Sequence, residues 1–147
     1  MARPKSSKFT SYRQWHMDSL ALGQIFLPAL EKMATRIPHL RCAVLCTPDG
    51  FNLCSLGLTE DQVGKMAALS SSLLSVGDAT IASLSPEGTP AAPLEILTME
   101  ANGLQIVSTK IHRPGAGDLV LMAAAQTSLG VVLVGVKSTV VDLLKLL

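Results

Sequence analysis

Apolar residues recur along this chain with two periods, and the changes between them mark out eight elements. From Asp18 to Arg36, the residues Leu22, Phe26, Ala29, Leu30 and Met33, with Ile37 just beyond, stand three or four apart, which predicts a helix with one apolar stripe. Pro28 inside it removes a backbone bond to residue 24 and predicts a kink or a split, and Pro38 ends it by forcing Ile37 out of the helical region. Two strand patterns follow, Arg41 to Thr47 and Phe51 to Cys54, around Pro48-Asp49-Gly50, whose proline presets a turn dihedral and whose glycine accepts positive φ. Thr59 with Gln62 reads as a capping box, Glu60 and Asp61 suit the positive end of a helix dipole, and Ser85-Pro86-Glu87-Gly88 closes that helix after Leu84.

One face of this second helix holds Ala67, Ser70, Ser71, Leu74, Gly77 and Asp78, nearly all small. Small side chains admit a second backbone closely, so this face either packs on the chain's own sheet or meets another helix, and it is the expected contact in a dimer. Asn102-Gly103 between alternating runs is a two-residue hairpin turn. It pairs Ala101 with Leu104, Met99 with Ile106, Ile96 with Thr109 and Glu95 with Lys110, so that opposite charges meet. Leu119 to Ala125 and Ala43 to Cys46 are apolar on both faces and belong in the middle of a sheet covered on both sides. In the last segment, Val131 to Val134 favours strand by propensity, whereas Leu129, Val132, Val136, Val140, Leu143 and Leu147 recur at helical spacing; a helix is expected, since an edge strand so apolar invites aggregation.

The chain has 147 residues, the size of one domain. It is 48% hydrophobic and only 16% charged, against roughly 25% charged in an average globular chain, so surface hidden by a second copy is expected. A net charge of +1 gives no reason to expect a nucleic-acid partner. Residues 1–15 hold Arg3, Lys5, Lys8 and Arg13 together with Phe9, Tyr12 and Trp15, and read as a flexible basic arm that frays or docks on a partner or an anionic membrane surface. The domain proper is then 16–147. Cys42, Cys46 and Cys54 are odd in number and sit in strand patterns, which favours a reducing, cytoplasmic setting without disulfides. Leu20 to Leu30 is too interrupted for a secretory leader. Leu119 to Val136 carries no charge and approaches the length of a membrane span, but Gln126-Thr127-Ser128 divides it into two short runs, so no integral insertion is expected.

No reactive cluster is legible. Gly115-Ala116-Gly117 joins two strands and opens no helix, so it cradles no phosphate. Cys42 and Cys46 on one extended strand lie too far apart for one zinc ion. A cysteine nucleophile served by His112 and Asp118 requires a proximity that the order of elements does not provide. No cofactor, metal or catalytic residue is expected.

The hairpin from Ala43-Val44-Leu45 to Asp49-Gly50-Phe51, the alanine- and serine-rich helix Met66 to Leu74, the Asn102-Gly103 hairpin and Ser128-Leu129-Gly130 opening the last helix together resemble the roadblock domain. This family comprises dynein light-chain-type proteins and bacterial and archaeal regulators of Ras-like GTPases. The resemblance covers about Asp18 to Leu147. It implies an α+β fold of order α-β-β-α-β-β-β-α, with a five-stranded antiparallel sheet, the middle helix on one face and the other two on the opposite face. It also implies a homodimer joined through the middle helices and third strands, which adds Ile96 and Thr98 to the expected contact. The implied function is a non-enzymatic adaptor that binds a small Ras-like GTPase, with Glu60, Asp61 and Lys65 at the start of the second helix as the expected contact. The rival readings are a small-molecule-binding module, a peripheral membrane adaptor using the arm and, behind both, a cysteine hydrolase. The basic arm, Pro28 and the valine-rich last helix depart from the family pattern.

Overall fold

The computed structural model describes the backbone of residues 7–147 and the side chains of residues 21–147. The order is α1 (Ser7–Arg36), β1 (Leu40–Cys46), β2 (Asn52–Leu56), α2 (Glu60–Leu84), β3 (Ile96–Ala101), β4 (Leu104–Ile111), β5 (Leu119–Ala125) and α3 (Leu129–Lys145). All strand pairs are antiparallel, and the sheet runs β2-β1-β5-β4-β3. Every residue of β5 is buried, as its doubly apolar pattern predicts for a central strand.

Alternation divides the sheet residues between two layers. Ala43, Leu45, Val107, Ile111, Leu119, Leu121, Ala123 and Ala125 pack with Phe26, Leu30, Met33 and Ile37 of the α1 segment and Val132, Val136 and Leu143 of α3. Cys42, Val44, Cys46, Val120, Met122 and Ala124 face the other way, against Ala67 and Leu74 of α2. Phe26, Leu30, Met33 and Leu121 are wholly buried, each worth about 1.5–3 kcal/mol of transfer from water.

Helix α1 begins at Ser7, not near Asp18. The segment read as an arm is therefore divided: residues 1–6 lie outside the described residues, and the backbone of residues 7–15 forms the first turns of α1. Pro28 does not split the helix. Both Pro28 and Gln24 are exposed, so the carbonyl that loses its helical partner faces water. Pro38 does stop the helix, and His39 turns the chain with φ 55°.

The first hairpin turns through Pro48-Asp49-Gly50. The Thr47 N–H donates to the Phe51 carbonyl at 2.9 Å, the Gly50 N–H to the Thr47 carbonyl at 3.0 Å, and the Thr47 hydroxyl to Asp49 Oδ1 at 2.5 Å. Gly50 has φ 91°, which a side chain would resist. In the second hairpin Asn102 and Gly103 take φ 50° and 80°, and the register is the predicted one, with Ala101 opposite Leu104, Met99 opposite Ile106 and Ile96 opposite Thr109. The Lys110 side chain departs from its predicted cross-strand pairing with Glu95. It reaches across to Asp78 on α2, while its backbone N–H donates to the Glu95 carbonyl at 3.3 Å.

The uncharged stretch from Leu119 to Val136 is split between β5 and α3. Burial of Val132, Gly135, Val136, Thr139 and Leu143 along one stripe overrides the strand propensity of the valines.

Candidate interaction surface

Helix α2 starts where the Thr59 N–H donates to Gln62 Oε1 at 3.1 Å, with Glu60 and Asp61 in the first turn. Its small-residue face lies on the chain's own sheet. Ala67, Ser70 and Leu74 are buried there, the Cys46 thiol faces the Ala67 carbonyl at 3.9 Å, and the Ser71 hydroxyl donates to the Pro48 carbonyl in the first hairpin turn. Gly77 leaves room for Leu94, whose side chain would collide with any Cβ at that position. Ala67, Ser70 and Leu74 of the face expected to meet a second copy are thus engaged in intramolecular packing, and Ser71, Gly77 and Asp78 are half-buried beside them.

The opposite face is the uncovered one. Leu69, Val76 and Leu84 are exposed by 46%, 64% and 79%, and with half-buried Leu73 they form a second stripe at spacings of four, three and eight. Exposed Ser72, Ser75 and Ala79 lie beside it. Sequence reasoning picked one stripe and missed the other. The available signal was that α2 carries apolar residues around more than half its circumference, too many for a single sheet to cover. Glu60, Asp61 and Lys65 are exposed at the helix start. Among the described residues α2 is also the one helix long and apolar enough, by length and composition, to cross a membrane.

Asp78 fastens this helix to the sheet edge. Its Oδ1 accepts the Leu94 N–H at 2.9 Å and its Oδ2 pairs with Lys110 Nζ. The Lys110 hydrogen bond, then the Leu94 N–H, hold its carboxyl below the ordinary range. Beyond Leu94 the chain enters β3, which pairs only with β4 and forms one edge of the sheet. Because the Glu95 carbonyl accepts the Lys110 N–H, alternation directs the backbone groups of Leu97, Met99 and Ala101 to β4. Those of Ile96, Thr98 and Glu100 point outward. Ile96 packs with the α1 and α3 layer and Leu97 with the α2 layer.

Between β3 and α3 lies an open groove of about 590 Å³ walled by Leu94, Ile96, Leu133, Val136, Val140 and Val141. Lys110, His112, Asp118 and Lys137 also line it. His112 Nδ1 stands 2.8 Å from Asp118 Oδ1. No cysteine is activated by this pair. Cys46 and Cys54 are buried in the sheet layers, burial pushes both thiols up to about 12, with the charge of Asp49 adding to the effect at Cys46, and burial raises Cys42 as well. Among the described residues no group of three His, Cys, Asp or Glu side chains is arranged to hold a metal ion.

Solved structures share this architecture. A roadblock/LC7 domain from Streptomyces avermitilis superposes with a TM-score of 0.62 at 23% identity, over 76% of this chain and 88% of that one. The chain has the roadblock fold. The gliding protein MglB from Thermus thermophilus has a TM-score of 0.69 at 15% identity, over 86% of this chain and 90% of that one. MglC from Myxococcus xanthus has a TM-score of 0.55 at 12% identity, over 84% and 99%. No family model and no curated protein matches the chain by sequence. The roadblock likeness thus rests on the arrangement of elements, with sequence identity too low to transfer a residue's role.

Proposed function

We propose that this chain is a non-enzymatic, cytoplasmic, homodimeric adaptor that binds a small Ras-like GTPase and adjusts its activity or location. The observation that carries the reading is the uncovered stripe on α2 beside the open edge of β3, on a roadblock fold. A helix so apolar with one bare face needs a cover, and an unpaired strand edge is a template for another strand. A second copy provides both at once. A related protein, MglB, has been solved in a tetrameric arrangement, at a TM-score of 0.69 and 17% identity, which supports self-association as a habit of the fold.

Exposed Glu60, Asp61 and Lys65 at the start of α2 are offered to the GTPase. Any effect on hydrolysis comes from holding the partner's own residues in place, a positioning effect. The test is affinity capture from source cells with the tagged chain, with GTP or GDP supplied, and identification of the stoichiometric partner. The double substitution Glu60→Lys with Asp61→Lys is expected to weaken that capture while the mass of the bait assembly stays the same. Phosphate release from GTP by the purified chain alone would overturn the non-enzymatic reading.

A further inference from the structure

We infer that a second copy completes the groove between β3 and α3 by placing its own Glu100 beside Lys137. This rests on the self-pairing of β3 proposed above, and the register follows from the strand itself. In a two-fold antiparallel pair, residues facing each other have a constant sum of numbers, and their side chains share a face only if the axis passes through a residue. The outward backbone groups belong to Ile96, Thr98 and Glu100. An axis at Thr98 joins all three, as Ile96 with the partner's Glu100, Thr98 with the partner's Thr98, and Glu100 with the partner's Ile96. An axis at Met99 would leave Ile96 opposite the partner's Asn102, a turn residue at φ 50° outside the strand. The Thr98 axis also sets Leu97 against the partner's Met99 on the α2 side, an apolar pair in the closer, non-hydrogen-bonded spacing.

Directly opposite residues in a hydrogen-bonded pair lie about 5.5 Å apart between Cα atoms. The partner's Glu100 therefore stands next to Ile96, on the face that opens into the groove. Lys137 lines the same groove. Neither Lys137 nor Glu100 has an ion-pair partner among the described residues, whereas Lys110 and His112 at that groove are already matched by Asp78 and Asp118. The symmetry makes two Lys137 pairs with the partner's Glu100 per dimer. The apolar groove is thus a composite site, walled by one copy and closed at its rim by the other.

Two measurements test this. Oxidised Thr98→Cys should cross-link to a disulfide dimer, because the expected spacing suits a disulfide; Ile96→Cys and Glu100→Cys should cross-link only when mixed with each other. Cross-linking of Met99→Cys with none at Thr98→Cys would overturn the register. By analytical ultracentrifugation, Lys137→Glu and Glu100→Lys should each raise the dimer Kd by roughly five- to thirty-fold, as expected for two surface ion pairs turned into repulsions, and the double variant should recover most of that loss. A dimer that cross-links at Thr98 but keeps its Kd in both single variants overturns the ion pair and leaves the dimer standing. A wild-type chain that stays monomeric removes the dimer reading and this inference with it.

Discussion

Asp78 joins three segments with one carboxylate: the outer half of α2, the entry to β3 at Leu94, and Lys110 on β4. Its folded-state pKa is lowered, so it contributes stability above the ordinary carboxylate range, and that contribution is lost as pH falls through the folded value. Asp78→Asn should lower the thermal midpoint at pH 7. The gap between variant and wild type should begin to narrow as pH falls through the ordinary carboxylate range and close only below the lowered folded value of Asp78, where its side chain is neutral in both folded and unfolded chain; a gap that persists unchanged at acid pH would assign the effect to packing instead. The cysteines give a second expectation. With thiols at about 12 for Cys46 and Cys54, iodoacetamide at pH 8 should leave both unlabelled in the native protein and label them once urea unfolds it. The intramolecular partners of Asp78 lie 16 and 32 positions away, and no local pattern encodes such a meeting.

The two faces of α2 make opposite predictions for similar substitutions. Leu74 is 2% exposed against the sheet, so Leu74→Arg should cost at least about 3 kcal/mol and unfold much of the protein. Val76 is 64% exposed, so Val76→Arg should leave the thermal midpoint nearly unchanged while light scattering shows a shift from twice the chain mass to a monomer. Equal unfolding by both would mean that the exposed stripe is not a separate surface. Helix α3 offers a third case. Gly135 sits against Ile37, whose side chain a Cβ would strike; Gly135→Ala should destabilise by about 1–3 kcal/mol from overpacking, in spite of alanine's better helix propensity. The hairpins, the capped start of α2 and the central position of β5 were legible because turn chemistry and alternation are local. Which face of α2 turned inward was not legible, since both of its stripes keep helical spacing and only the sheet's position decides between them.

For the molecule as a whole, the proposed self-association would hide apolar surface that 16% charged residues leave poorly solvated. Light scattering at micromolar concentration should give about twice the 15.5 kDa chain, and a mass that stays at one chain across dilution would contradict it. The order of elements was readable from residues 18 onward and the five-stranded antiparallel sheet with its helix layers through the roadblock resemblance, whereas the strand order was not. Three further features were not readable: the extension of α1 back to Ser7, where no apolar stripe marks the helix; the uninterrupted run through Pro28, which depends on the lost bond facing water; and the groove beside α3, which is made by residues from four segments.

The sheet order β2-β1-β5-β4-β3 puts the last strand to be synthesised at its centre. A ribosome-bound chain that has released only residues through His112 holds two hairpins, β1 with β2 and β3 with β4, and no strand to join them. The pairing of Leu40 with Ala125 closes a loop spanning most of the domain. At ~5–20 residues per second, β1 waits roughly 4–16 s for its central neighbour. During that interval Ala43 to Cys46, buried on both faces in the finished protein, has nothing native to cover it on one edge. Completion of this fold therefore waits until β5 has left the ribosome, and until then the two hairpins have no central strand to join them.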